Sequence, residues 1–348
     1  MRGIENSSMK RLGLWIALLF LGVSSVSAQA PMPLTLQRTM VLSGITGKFD
    51  HFAIDETGNR LFAAAEGNQA VAIVNLGTGQ LIQSLSGLRK PHGLAWVPAT
   101  QSLYVSDGAL AELRVYKGSP LALAGTIKLS EDADDMVFDN ASHLLFVGHG
   151  GTDSANPARI AIVETDSFSL VANVPVATHP EGLAADSKGG RIFTNLADLS
   201  EVAVIGTARK SIEGKWKLSK AAQNVPIAFD SEHQAVFVAC RNPGSLIMLD
   251  ATTGKEIGSQ PAGGKADDLF YDAELHRIYL ISGAGEVDTY QVDSGKKLHS
   301  LEVLHTALGA RTALFVPSHN LLYLGVPATA DHPGEILVYS TPRSGAAQ

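Results

Sequence analysis

The chain has 348 residues, 45% hydrophobic and 18% charged, with 34 Gly and 6% aromatic residues, a globular composition that excludes disordered and fibrous classes. A formal net charge of -7 argues against a nucleic-acid footprint, which needs a basic stripe that this sequence lacks. The single cysteine, Cys240, excludes an intrachain disulfide, so the fold must be stable without staples.

The first feature, over residues 1–28, reads as a secretory signal peptide: Lys10 and Arg11, then the apolar run LGLWIALLFLGV from Leu12 to Val23, then small residues ending in Val26-Ser27-Ala28. Cleavage is expected after Ala28. No cysteine lies beside that site to take a lipid. The apolar run is too short to span a bilayer comfortably, and no second run of about 18 apolar residues follows. The mature protein is therefore expected to lack a transmembrane segment and to be periplasmic or secreted. Loss of Arg2, Lys10, Arg11 and Glu5 leaves it more acidic still.

After the leader, one phrase returns about every 41 to 46 residues. It comprises a short apolar run, a turn, and a second run rich in aliphatic and aromatic residues. The seven copies are HFAIDETGNRLFAAA at His51, HGLAWVPATQSLYVS at His92, DMVFDNASHLLFVGH at Asp135, GLAADSKGGRIFTNL at Gly182, PIAFDSEHQAVFVAC at Pro226, DLFYDAELHRIYLIS at Asp268 and RTALFVPSHNLLYLG at Arg311. A third apolar segment closed by a turn follows each copy, and usually a fourth. Four short strands per repeat, with alternating polarity and Gly, Asp or Asn turns, specify a β-propeller blade. The fold class is all-β: a seven-bladed β-propeller of four antiparallel strands per blade, forming one domain over residues 34–340, with a short C-terminal tail at 341–348. The last repeat ends at its third strand, EILVYS, so TLQRTMVLSG at Thr35 to Gly44 is expected to complete it and close the ring, which removes an open sheet edge.

The cadence SLIMLDATTGKEIGSQPAGG followed by LHRIYLISGAGEVDTYQ resembles the YVTN-type repeat of the YncE-like seven-bladed propellers, over the whole chain from about Leu34 to Ser340. A literal Tyr-Val-Thr-Asn is absent, and Tyr104-Val105-Ser106-Asp107 comes nearest to it. The resemblance implies the same fold and an exported bacterial protein. It implies little about chemistry, because propellers host many unrelated activities.

Repeat phase sorts the polar residues between two faces. His143, His233, His276 and His319 fall in the turn between first and second strands, where solvated polar residues are expected. At the opposite end, the residue at which the innermost strands start varies among the blades: His51, His92, Asp135, Glu181, Pro226, Asp268 and Arg311. His149, Asp153, Asp198, Arg241 and His332, in loops between second and third strands, are expected on the same side. Packing alone would allow one residue at every equivalent position, whereas a shared ligand would diversify them. His51, His92, Asp135, Glu181, Asp268 and Arg311 are therefore the candidate ligand-binding residues. Asp134 and Asp267, which precede two of them, are expected to cap turns.

Two chemistries fit that set. His51, His92, Asp135 and Asp268 could hold a divalent metal ion as cofactor, Mg²⁺, Mn²⁺ or Ca²⁺ through oxygen and Zn²⁺ or Cu²⁺ through imidazole. Alternatively, His and Glu flanking Arg311 form a base and a carboxylate clamp, as a lyase acting on a sugar acid requires. The expected role is a binding or scaffold protein, monomeric, with a small ligand or an envelope protein as partner. The enzymatic alternative is a metal-assisted lyase or lactone hydrolase. No GxSxG elbow or HExxH pair occurs, and Cys240 reads as a small buried hydrophobe. Trp96 and Trp216 read as packing residues.

Overall fold

The computed structural model describes residues 34–342; the leader at 1–28 and residues 343–348 of the tail lie outside the described residues. The described chain forms seven four-stranded antiparallel sheets and almost no helix. Blade one holds Phe52–Asp55, Arg60–Ala65, Ala70–Asn75 and Leu81–Leu85, in that order from the inner strand outward. The inner strands of blades two to seven are Pro91–Val97, Met136–Asp139, Leu183–Asp186, Ala222–Asp230, Ala266–Asp272 and Ala313–Val316. In blade seven the outermost strand is Thr35–Leu42, paired antiparallel to Gly334–Ser340.

Alternation of side chains explains why such blades stack into a ring. In the second strand of blade one, Leu61 and Ala63 point into a core shared with blade seven, while Phe62 and Ala64 point into a core shared with blade two. The described residues form seven such apolar clusters, each bridging two neighbouring blades. The second strands are buried on both faces and consequently read as near-continuous apolar runs such as LLFVGH. The outer strands alternate instead, as in Ser211–Lys217.

The turn after the inner strand is built in one way in five blades. Its last residue is Asp55, Asp139, Asp186, Asp230 or Asp272, each no more than 4% exposed, and each accepts hydrogen bonds from backbone N–H groups two or three residues on. In blades two and seven Val97-Pro98 and Val316-Pro317 occupy the same place. Trp96 packs on Phe62 with ring centroids 5.5 Å apart, and Trp216 on Phe193 at 5.4 Å. Cys240 is fully buried in the core between blades four and five, and burial pushes its thiol pKa up to about 12.

Candidate ligand site at the channel mouth

The inner strands begin around a cavity of about 380 Å³ lined by side chains from every blade, a volume suited to a small ligand. All six candidate ligand-binding residues, His51, His92, Asp135, Glu181, Asp268 and Arg311, line this one cavity. Three inner strands shift register against their partners at this end, between Pro91 and Leu94, Asn224 and Ile227, and Ala266 and Asp268. A bulge there re-aims the side chain beside it, which places His92 and Asp267 at the mouth.

The Asp-Asp pairs divide their work in a way that corrects the sequence expectation. Asp134 and Asp267 do not cap turns. Asp134 meets His92 Nδ1 at 3.1 Å and His179 Nε2 at 3.3 Å. Asp267 holds two guanidinium groups, Arg241 through Nη2 and Arg311 through Nε, the latter at 3.4 Å. The second Asp of each pair ties one blade to the next. Asp135 Oδ2 accepts the Leu183 N–H at 3.0 Å, and Asp268 Oδ2 accepts the Ala313 N–H at 2.7 Å. Their other oxygens converge on one imidazole: His51 Nε2 lies 3.4 Å from Asp135 Oδ1 and 3.9 Å from Asp268 Oδ1.

His51 is further held by Asp50, whose Oδ1 lies 2.8 Å from Nδ1. Burial disfavours the imidazolium, but Asp135, Asp50 and Asp268 outweigh it and raise the His51 pKa well above its ordinary value. Burial likewise opposes charge on His179, yet Asp134 and the Gly150 carbonyl raise its pKa to about 9. Asp134 is the anion of this group: burial would raise its pKa, but His179 and His92 hold it far below the carboxylate range. Two carboxyl groups move the other way. Burial, followed by the Asp134 charge, raises Glu181 to about 7. Burial raises Asp268 to about 7 against the pull of His51.

The mouth is therefore divided by residue type. Imidazoles, Asp50, Asp134 and Asp135 crowd the side of blades one to four. On the opposite side two arginines share a single carboxylate, and their side chains keep 35% and 44% of their exposure for Arg241 and Arg311.

The structure divides the four residues expected to hold a metal. His51 faces Asp135 and Asp268, whereas His92 Nε2 faces Asp50 at 3.9 Å and Glu66 at 3.7 Å. Among the described residues, the mouth groups with three ligand atoms within 4.8 Å of one another are Asp50, Glu66, His92 and Asp134, His179, Glu181. Of the five loop residues expected on this side, only Arg241 lines the cavity. His149 is buried, taking the Ser130 N–H on Nδ1 and meeting Asn173 through Nε2. Asp153 caps its own loop, and His332 pairs with Glu335. Sequence reasoning missed Lys48 and Lys90, which also line the cavity and pair with Glu66 and Asp132 at 2.6 and 2.9 Å. Repeat phase could have found them, since each lies just before the histidine of its blade.

No known family profile matches the chain. Among curated proteins it is 22% identical over 207 residues to an uncharacterized protein, YncE, of Escherichia coli O157:H7. That match covers 56% of this chain and 57% of the relative, so it spans little more than half of either. Solved structures with the same fold include the WD40 repeats of RRP9, at TM-score 0.75 and 11% identity over 89% of this chain and 100% of that one. A chain of the mitotic checkpoint complex superposes at TM-score 0.74 and 14% identity, covering 95% and 99%. Hydrazine synthase of Kuenenia stuttgartiensis follows at 0.73 and 13%, covering 89% and 99%. At these identities the structures attest the ring alone. The repeat cadence, the seven four-stranded blades and the match to YncE together fit a YncE-like β-propeller family.

Proposed function

We propose that this chain is an exported binding protein that takes a small organic acid carrying hydroxyl groups, such as a sugar acid, at the channel mouth. The observation that carries the proposal is the sharing of one carboxylate, Asp267, by two part-exposed guanidiniums, Arg241 and Arg311, inside a cavity of about 380 Å³. Each guanidinium has five N–H donors in a fixed fork, more than one carboxylate can use. The surplus suits bidentate capture of a second carboxylate. Across the mouth, Asp50, Asp135 and the imidazoles offer acceptors and donors to hydroxyl groups. The leader-like segment at 1–28 supports a place in the periplasm or outside the cell, and a mature protein beginning at Gln29 in the exported fraction is the expected outcome of N-terminal sequencing.

Calorimetric titration with D-gluconate and D-galacturonate tests the site. Saturable binding of at least one probe, weakened roughly tenfold or more in Arg241→Ala and Arg311→Ala, is expected. Absence of binding at millimolar probe, or arginine variants that keep wild-type affinity, would defeat the reading.

A second reading is favoured by Glu181, whose pKa of about 7 lets it accept a proton at neutral pH. Near enough to Arg241 to feel its charge, it could remove the proton next to a bound carboxylate, the first step of a lyase. The Asp134, His179, Glu181 group could instead hold a divalent ion that assists that step. Turnover of an acid probe that disappears in Glu181→Gln while binding persists would select this reading.

A further inference from the structure

The first turns of blades five and six lie at the other end of the inner strands, about 20 Å from the mouth at ~3.3 Å per residue. His143 and His319, in the equivalent turns of blades three and seven, are exposed as expected for turn residues. His233 and His276 are not: both are half-buried, with ring centroids 5.1 Å apart at an interplanar angle of 74°.

What holds them is a buried carboxylate. Asp230, 1% exposed, accepts the Glu232 and His233 N–H groups on Oδ1 at 2.9 and 3.1 Å. Its Oδ2 lies 2.7 Å from His233 Nδ1. The Tyr271 hydroxyl also hydrogen-bonds Asp230. An ionised carboxylate only accepts, so Tyr271 donates its proton there. The Tyr271 oxygen is then the acceptor for His276 Nδ1, 3.0 Å away. One carboxylate thus fixes the tautomer of both imidazoles: the proton sits on each Nδ1, and each Nε2 keeps its lone pair. Histidines that bind metals are oriented in this way, with the far ring nitrogen donating to a carboxylate or a similar acceptor.

Glu232, exposed on the same turn, adds a carboxylate, and one ligand atom from each of Glu232, His233 and His276 lies within 4.8 Å of the other two. With both Nδ1 atoms engaged, the Nε2 atoms are those free for an ion. We propose that Glu232, His233 and His276 form a second site, independent of the channel mouth, that binds one divalent transition-metal ion. Two imidazoles and one carboxylate suit Zn²⁺ or Fe²⁺ and are poorly matched to Ca²⁺ or Mg²⁺, which prefer all-oxygen shells. Ligand bonds of about 2.0–2.2 Å require the three side chains, from turns of two adjacent blades, to close in slightly, and Glu232, exposed on its turn, can do so by rotation. Three protein ligands leave coordination positions open to solvent.

The test is calorimetric titration of Zn²⁺ into the metal-stripped full-length chain, with the visible spectrum of Co²⁺ as a second readout of coordination. One saturable site is expected, with affinity at least tenfold weaker in His276→Asn and in His233→Ala. Asn is used at 276 because that residue has φ 52°, a left-handed conformation that Asn tolerates. Asp230→Asn, a positioning change, is expected to weaken Zn²⁺ by roughly 10- to 100-fold and to alter the Co²⁺ spectrum. His92→Ala, at the mouth, should leave the far site untouched. Absence of saturable Zn²⁺ binding would overturn the proposal, as would full affinity in His276→Asn. So would loss of the ion in His92→Ala alone, which would move the metal to the mouth.

Discussion

The two ends of the ring use the same residue types for different ends. At the far turns, aspartate recurs at one position in five blades, buried and bonded to the backbone of its own turn. At the mouth the equivalent positions differ from blade to blade, and their partners come from other blades: Asp134 with His179, Asp267 with Arg311. Repetition accompanies a local task that every blade must solve for itself. Diversity accompanies convergence on a shared space, where each blade contributes one part. Asp135 and Asp268 stand between these cases, since one oxygen of each bonds the next blade and the other faces His51.

The comparison breaks most directly at a turn aspartate. Asp186 is fully buried and holds Arg191 at 2.6 Å and the Gly189 N–H at 2.9 Å. Asp186→Ala leaves a guanidinium of low exposure without its carboxylate, and removal of one partner from such a buried pair costs about 3–5 kcal/mol. An unfolding free energy lowered by that amount, read from denaturant titration, is expected in Asp186→Ala, and a near-wild-type value in Arg311→Ala at the mouth. Equal losses in the two variants would erase the distinction between a structural end and a binding end.

A smaller effect is expected in the pH dependence of stability. Glu181 and Asp268 have folded pKa values of about 7, above their ordinary 4.5 and 3.8. Between those values the folded chain keeps protons that the unfolded chain releases, so stability falls as pH rises from about 4 to about 7. His179, raised from 6.5 to about 9, contributes stability that is present below 6.5 and lost as pH climbs through 9. Both shifts act in one direction, towards a mouth that stabilises the fold less in alkali. Glu181→Gln is expected to flatten the section between about 4.5 and 7, by up to about 3 kcal/mol. Thermal melts at a series of pH values read it, and an unaltered profile would show that Glu181 titrates normally.

The ring itself was legible because its signal is repeated seven times: alternation along each strand puts Phe62 towards one neighbour and Leu61 towards the other, and the sequence carries that pattern in every copy. The gathering of His51, His92, Asp135, Glu181, Asp268 and Arg311 around one cavity was legible for a related reason, since equal phase in a repeat means equal distance from the axis. Pairing was not. Which imidazole each of Asp134 and Asp135 meets, His92 and His179 for the first and His51 for the second, depends on rotamers, which leave no periodic trace. The packing of His233 against His276 was also hidden, although both occupy the same turn in adjacent blades. Phase gives a height in the ring, but contact between neighbours at that height depends on which turns lean together, as Asp230 and Tyr271 make these two do.

That last point yields the smallest prediction and the sharpest one for the far face. His319 is exposed, and its ion pair with Glu56 at 3.3 Å is itself exposed. Exposed pairs contribute about 0–1 kcal/mol, so His319→Ala should change the unfolding free energy by about 0.5 kcal/mol or less. His233→Ala, at the equivalent turn two blades away, removes a hydrogen-bond partner of the buried Asp230 carboxylate and should cost about 1–3 kcal/mol. If the two substitutions cost the same, the turn histidines are interchangeable solvated residues, and the order imposed by Asp230 contributes nothing to the fold. A clear excess for His233 means that the network forms in solution, with two imidazoles held in fixed tautomers before any ion arrives.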